Sequence, residues 1–313
     1  MDWSQLAEQL RKMITGPVES FEPMRRHTTL RVGGAARIFC LPRNIREMLN
    51  VLAWTRDNDV PHFVLGGGSN LLVADSGVEG LVIKTTSTSD GITTVNHTDE
   101  GDTVWRVSAG SKLGVVVNKA VHQGLGGLEK LAGIPGTVGG AVVMNAGANN
   151  STIADSLLNV EVWDSEEKDL MEFDVSDCNF GYRSSIFQQR QQFIVVNSRL
   201  QLTEGDRDKL QKTVARRLSD RRQKQPVKWP SAGCVFRNPS ETAAGYLIES
   251  AGWKGRRVGG AMVSKVHANF IVNCGGAKAE DVLKLIDGIR ESIQQNFGIE
   301  LELEIKTWGV TLD

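Results

Sequence analysis

The stretch Ala132-Gly-Ile-Pro-Gly-Thr-Val-Gly-Gly-Ala-Val-Val-Met-Asn-Ala-Gly-Ala148 carries no charged side chain and has glycine at 133, 136, 139, 140 and 147. Glycine lets a backbone pass close to a bulky ligand and take φ > 0. Thr137 and Asn145 are the obvious side-chain hydrogen-bonders, so backbone N–H groups alone can hold an anion here. A P-loop places Lys-Ser/Thr after its last glycine, but Gly140 is followed by Ala141-Val142 and Gly147 by Ala148-Asn149. That argues against nucleoside triphosphate chemistry and for a diphosphate held away from the reaction, as in a dinucleotide cofactor. A Gly/Ala segment used only for tight packing is the alternative reading.

A second uncharged glycine loop lies upstream. Val60-Pro-His-Phe-Val-Leu65 reads as a buried strand emptying into Gly66-Gly67-Gly68-Ser69-Asn70. A Rossmann fingerprint needs a further glycine where Leu71 stands and a helix directly afterwards, whereas Leu71–Gly77 reads as strand and turn. Before this loop, Leu6, Leu10 and Met13 mark a surface helix, Thr28–Ala35 reads as a strand running into a turn, and Ile38–Leu41 as its return. Asn44 can cap a helix carrying Ile45, Met48, Leu49 and Leu52. After a polar boundary over Thr85–Asp102, Val104–Ala109 predicts a strand and Leu113–His122 a helix. Paired strands flank an Asp164–Lys168 turn, and Phe193–Leu202 predicts a closing strand.

The last third opens on a helix with Lys209, Lys212, Arg216, Arg217, Arg221, Arg222 and Lys224. Interleaved acids make most of these a solvated face, and those nearest Pro226 are the better ligand candidates. A short helix over Ala243–Ala251, a strand over Ala268–Asn273 and an amphipathic helix over Glu280–Phe297 follow. Ile299-Glu-Leu-Glu-Leu-Glu-Ile-Lys306 alternates with period two, putting Ile299, Leu301, Leu303 and Ile305 inward and Glu300, Glu302 and Glu304 on what is ordinarily a solvated face.

The 313 residues suffice for two or three domains, and a net charge of −1 gives no overall attraction to nucleic acid or membrane. Cys40, Cys178, Cys234 and Cys274 are far apart with no metal-ligand spacing, so no metal is expected and a reduced, cytoplasmic protein is. Charge mixed into the Leu6, Leu10 and Met13 spacing reads as that surface helix rather than a signal peptide, and no membrane span is expected.

Taken together and in order, several motifs resemble the UDP-N-acetylenolpyruvoylglucosamine reductase family. They are Thr28-Thr-Leu-Arg-Val-Gly-Gly34, Leu65-Gly-Gly-Gly-Ser-Asn-Leu-Leu72, Gly133-Ile-Pro-Gly-Thr-Val-Gly-Gly140, Asn145-Ala-Gly-Ala148, Phe180-Gly-Tyr-Arg-Ser-Ser185, Pro230-Ser-Ala-Gly-Cys-Val-Phe-Arg-Asn-Pro239, His267-Ala-Asn-Phe270 and Leu301-Glu-Leu-Glu-Ile305. The resemblance implies an α+β fold: a two-subdomain FAD-binding fold of the vanillyl-alcohol-oxidase type plus a C-terminal α+β substrate-binding domain. The expected divisions are an N-terminal helix over 1–20, FAD-binding subdomains over 21–86 and 87–202, and the substrate domain over 203–313. The length and the lack of a long insertion near Tyr182 suggest the shorter structural type.

The implied reaction is NADPH-dependent reduction of UDP-N-acetylglucosamine enolpyruvate to UDP-N-acetylmuramate through noncovalent FAD, in peptidoglycan precursor synthesis. Cofactor contacts are expected from Leu65, Gly66, Gly67, Gly68, Ser69 and Asn70, and from Gly133, Ile134, Pro135, Gly136, Thr137, Gly139, Gly140, Asn145 and Gly147. Arg183 matches the family's catalytic arginine and Glu304 its catalytic glutamate. Cys234 stands at the proton donor's position, where the family usually has serine. Tyr182, Lys224, Arg237 and Asn238 match substrate contacts. A related FAD-dependent oxidase is the first alternative, although Ser69-Asn70 stand where such oxidases often carry a flavin-linking histidine. A non-enzymatic nucleotide binder using the Lys209–Lys224 helix is the second.

Overall fold

Phe193-Ile-Val-Val lacks the polar alternation of a strand with one wet face, because it lies in a sheet covered on both sides. In the computed structural model, which describes residues 1–87, 91–97, 101–148, 150–239 and 242–310, the chain forms two units. The first comprises Met1–Ser20, Ile38–Gly67 and Gly80–Ser219, and the second Phe21–Arg37, Gly68–Glu79 and Asp220–Asp313.

In the first unit an antiparallel sheet runs in the order Asp169–Asp174, Leu157–Asp164, Phe193–Glu204, Thr103–Ser108, Ile92–His97, with Leu125–Gly126 also pairing to the long Phe193–Glu204 strand. Successive residues of that strand face opposite ways. Phe193 and Val195 join a core with Trp105, Val107, Val116 and Val142, while Ile194 and Val196 join a second core with Leu10, Ile38, Val51, Leu52 and Ile83. The predicted helix Leu113–His122 covers the first core, and the helices Trp3–Met13 and Ile45–Asp57 cover the second. Parallel pairing of His62–Leu65 with Val78–Lys84, Leu65 opposite Lys84, holds the strand that leads into the first glycine loop.

In the second unit the Ala279–Phe297 helix lays Val282, Leu285, Ile286, Ile289 and Ile293 against Val263, Ile271, Phe236 and Leu301. Gly288 makes room for Trp253, since a Cβ there would come within 2.5 Å of the indole. The Asp75 carboxylate accepts the N–H groups of Ala279 (2.9 Å) and Glu280 (3.1 Å), capping the helix from far upstream in sequence. Lys306–Trp308 pairs in parallel with Leu71–Val73.

Several expectations are corrected. Thr28–Ala35 is not a strand: Arg31 takes φ 57° and the Thr28 hydroxyl donates to the Val32 carbonyl at 3.0 Å, giving a turn before the Ala35–Cys40 strand. Only Ile271–Asn273 of the Ala268–Asn273 segment is strand. The Ile299–Lys306 run is not a continuous strand, and a strand begins only at Lys306. Leu301 and Ile305 are buried, but Leu303 is half-buried and bridges Phe236. Val78–Lys84 was not foreseen, nor was the helix Val138–Val143 inside the uncharged run.

At the start of the Ile45–Asp57 helix, the Asn44 Oδ1 accepts the Glu47 N–H at 2.8 Å. The Glu47 carboxylate in turn accepts the Arg43 N–H (2.8 Å), the Thr15 N–H (3.0 Å) and the Thr15 hydroxyl (2.6 Å). Burial alone would raise its pKa, but the hydrogen bonds from Arg43, Thr15 and Gly16 outweigh this and hold the carboxyl below its usual value. A depressed folded-state pKa contributes stability above the unfolded value and loses it as pH falls through the folded one. Glu47→Gln, whose amide nitrogen would face an N–H donor, should cost about 1–2 kcal/mol at neutral pH. Denaturant titrations should show the gap closing below about pH 4.3; a gap unchanged into acid would contradict the carboxylate's role.

Candidate active site

In the first unit the two glycine loops touch. A Cβ on Gly67 would stand 2.7 Å from the Gly136 Cα, and one on Gly66 would stand 2.5 Å from the Thr137 Oγ1. Gly133 (φ 84°) and Gly136 (φ 117°) occupy backbone space that favours glycine. The loop is tied down by Leu113 N–H to Gly136 O (3.1 Å), Val138 N–H to Ser111 O (2.9 Å) and Gly139 N–H to Ala109 O (2.9 Å). Thr137 Oγ1 accepts the Gly140 N–H at 3.3 Å, capping the Val138–Val143 helix. Gly139 is needed because a Cβ would lie 2.7 Å from that of Ala109. The amides of residues 138–140 are thus spent internally, and the part of the loop lining open space is Ile134–Thr137. Together with Gly67, Thr86, Lys112, Gly114, Val115 and Asn118 it walls a cleft.

This lining suits a dinucleotide. It combines glycine backbone, the Thr137 hydroxyl and one cation, Lys112, for a diphosphate. Val115, 57 % exposed, and Ile134 offer apolar surface to a ring. Among the described residues no cluster of His, Cys, Asp or Glu is arranged to hold a metal ion.

A second cluster in the same unit carries Arg183. Gly181 and Ser184 bond to each other in both directions (3.1 and 3.3 Å), leaving Tyr182 and Arg183 at the tip of a tight turn. Arg183 has φ 54°; its Nη2 donates to the Gly147 carbonyl at 2.7 Å and its guanidinium lies 5.4 Å from the Tyr182 ring centroid. Asn145 Nδ2 donates to the Gly181 carbonyl at 2.9 Å, and the buried Asn145 Oδ1 has no hydrogen-bond partner. Asn145, Gly147, Tyr182 and Arg183 are therefore brought together. Gly147 is glycine because a Cβ would meet the Ser151 carbonyl at 2.4 Å.

The second unit holds the other candidates. The Cys234–Arg237 segment lies between two partners. On one side Asn269 accepts the Val235 N–H on its backbone carbonyl (2.8 Å), accepts the Phe236 N–H on Oδ1 (2.9 Å) and donates Nδ2 to the Phe236 carbonyl (2.8 Å). On the other, Glu304 N–H donates to Val235 O (2.8 Å) and Arg237 N–H to Glu302 O (2.9 Å). Cys234 and Glu304 thus sit on adjoining backbone. The three glutamates separate here: Glu300 and Glu302 are exposed and paired with Arg290 (3.8 Å) and Arg237 (3.5 Å), whereas Glu304 is half-buried. Asn70 fastens this segment, donating Nδ2 to the Glu304 carbonyl (3.1 Å) and accepting the Lys306 N–H on its own carbonyl (2.9 Å).

Gly68 approaches the His27 carbonyl, and its own carbonyl accepts the Thr29 N–H at 3.0 Å. Ser69 lies near Gly233, where a Cβ would be 4.0 Å from its carbonyl. Asn238 Oδ1 accepts the Ala244 N–H (3.1 Å) at the start of the Ala244–Ser250 helix, and Lys224 is exposed at the end of the Arg207–Lys224 helix. Of the basic residues on that helix, Arg221 lies within electrostatic reach of Cys234. Burial lowers its pKa and Cys234 opposes the shift. Asn269, which orders the Cys234 segment, was missed as a site residue although it lies in the His267–Phe270 motif.

Residues 36–169 match the family described as FAD binding domain, and residues 225–308 match UDP-N-acetylenolpyruvoylglucosamine reductase, C-terminal domain. The chain is 41 % identical over 310 residues to the reductase of that name from Carboxydothermus hydrogenoformans, covering 99 % of this chain and 100 % of the relative. The chain belongs to the UDP-N-acetylenolpyruvoylglucosamine reductase family. The relative of the same name from Moorella thermoacetica is 42 % identical over 99 % of both chains. The crystal structure of the Thermus caldophilus reductase is 38 % identical, with a TM-score of 0.77 over 94 % of this chain and 99 % of that one. The fold is accordingly the α+β FAD-binding fold of this family with its C-terminal α+β domain, in the short form. Among the described residues no helix is long and apolar enough to cross a membrane.

Because the cleft depends on backbone contact at Gly67, Gly67→Ala should force the loops apart at a cost of about 1–3 kcal/mol. The variant should purify folded but with weakened FAD retention, read from the flavin absorbance per chain. Full flavin content at the parent's affinity would contradict this.

Proposed function

We propose that this chain is an FAD-dependent oxidoreductase that reduces UDP-N-acetylglucosamine enolpyruvate to UDP-N-acetylmuramate with NADPH, in peptidoglycan precursor synthesis. The observation that carries the reading is Glu304. Alone of three alternating glutamates it is withdrawn from solvent, and it is fastened beside the Cys234 segment, in a chain with reductase relatives along its whole length. Gly67, the Ile134–Thr137 wall and Lys112 would hold the flavin. A flavin bound there would supply the redox chemistry for the enolpyruvyl double bond, with NADPH as the reductant.

The protein's own share is charge and one proton. Hydride arriving at one carbon of an enol ether conjugated to a carboxylate drives electron density into that carboxylate. Arg183 is assigned to meet it: its guanidinium fork matches two carboxylate oxygens, and one arm is already fixed by the Gly147 carbonyl. Glu304 is assigned as the hydrogen-bonding partner of the developing enolate. Cys234 is assigned as the general acid, its S–H bond breaking as a C–H bond forms on the neighbouring carbon, with the thiolate regaining a proton from solvent. A thiol is more acidic than the serine hydroxyl usual at this position. Tyr182, Lys224, Arg237 and Asn238 are assigned to substrate. A cytoplasmic setting suits NADPH supply and four cysteines outside any disulfide.

Arg183→Ala and Glu304→Gln should slow reoxidation of reduced flavin by the enolpyruvyl substrate on the order of 10²- to 10³-fold and leave reduction by NADPH near the parent rate. Stopped-flow spectroscopy separates the two, and equal damage to both half-reactions would contradict the assignment. Cys234→Ser should keep appreciable turnover while Cys234→Ala stalls after flavin reduction. Parent-rate turnover by Cys234→Ala, with an unchanged solvent isotope effect, would move the proton donor elsewhere.

A further inference from the structure

Arg183 stands in left-handed backbone space at φ 54°, which an L side chain occupies only when its surroundings over-determine it. The side chain that does this is Gln188. Its Nε2 donates to the Arg183 carbonyl at 3.0 Å and to the Val143 carbonyl at 2.9 Å. Those two bonds use both amide hydrogens, so the carboxamide is a two-pronged donor between two carbonyl oxygens. Val143 ends the helix that the glycine loop begins at Thr137, and its carbonyl also accepts the Ser185 hydroxyl at 2.6 Å. The Arg183 guanidinium donates to Gly147 on the same segment. Arg183 is thereby anchored twice to the chain leaving the glycine loop, through its backbone by Gln188 and through its own Nη2. Gln189 beside it is exposed and makes neither bond.

We propose that Gln188 is a positioning residue that sets the backbone of Arg183 and so aims its guanidinium at the substrate carboxylate. This rests on the catalytic assignment of Arg183 above. Glutamate, the same shape as glutamine, is an acceptor when ionised and would set its charge against two carbonyl oxygens, whereas leucine removes the donors without adding charge.

The test follows anaerobic reoxidation of the NADPH-reduced holoenzyme by UDP-N-acetylglucosamine enolpyruvate in the parent, Gln188→Leu, Gln188→Glu, Arg183→Ala and the Arg183→Ala/Gln188→Leu double variant. Gln188→Leu and Gln188→Glu are expected to slow reoxidation about tenfold while flavin reduction by NADPH and flavin content stay near the parent. In the Arg183→Ala background Gln188→Leu should add nothing, because the residue it positions is gone. If Gln188→Leu does not fold, Arg183→Ala/Gln188→Glu carries the same comparison. Equal slowing by the Gln188 change in both backgrounds, or none in either, overturns the positioning role while leaving Arg183 in place. Parent-rate reoxidation by Arg183→Ala itself overturns the catalytic assignment and the positioning role with it.

Discussion

The cofactor half of the protein depends on one steric constraint: two backbones approach so closely at Gly67 and Gly136 that no Cβ fits between them. The segment that follows Gly136 leads from that contact to the Arg183 turn. Thr137 caps the Val138–Val143 helix, Gly139 seats it on Ala109, and Val143 and Gly147 then supply the carbonyls to which the Arg183 turn is tied. The wall of the cleft and the carbonyls that anchor Arg183 belong to one continuous segment.

The second unit reaches the same end with asparagines. Asn269 grips both backbone groups of Phe236, and Asn70 takes the Glu304 carbonyl, so Cys234 and Glu304 are held by carboxamides bonded to backbone. Such bonds act on the backbone and fix chain position.

Much of this was legible in the residues. Apolar spacing located the helices at Leu113–His122 and Ala279–Phe297, and the missing P-loop lysine and Rossmann glycine rejected two phosphate-binding folds. Other features were hidden for physical reasons. Period two treats Glu300, Glu302 and Glu304 alike, and burial separates the third from the others. A glycine that admits a ligand and one that admits another backbone look identical in sequence, so Gly139 and Gly147 read as cofactor contacts although packing against Ala109 and Ser151 already requires them. Gln188 bonds to Val143 and Asn269 to Phe236, partners remote in sequence that no local pattern records. Thr28–Ala35 misled because its β-branched residues serve a turn held by side-chain hydrogen bonds.

The central claim, that one flavin passes reducing equivalents from NADPH to an enolpyruvyl sugar nucleotide, is tested most directly by anaerobic mixing. NADPH added to the holoenzyme should bleach the flavin, which should stay bleached until UDP-N-acetylglucosamine enolpyruvate restores the oxidised spectrum with stoichiometric formation of UDP-N-acetylmuramate. A flavin that NADPH does not reduce, or that the enolpyruvyl substrate leaves bleached while oxygen restores it, would contradict the claim.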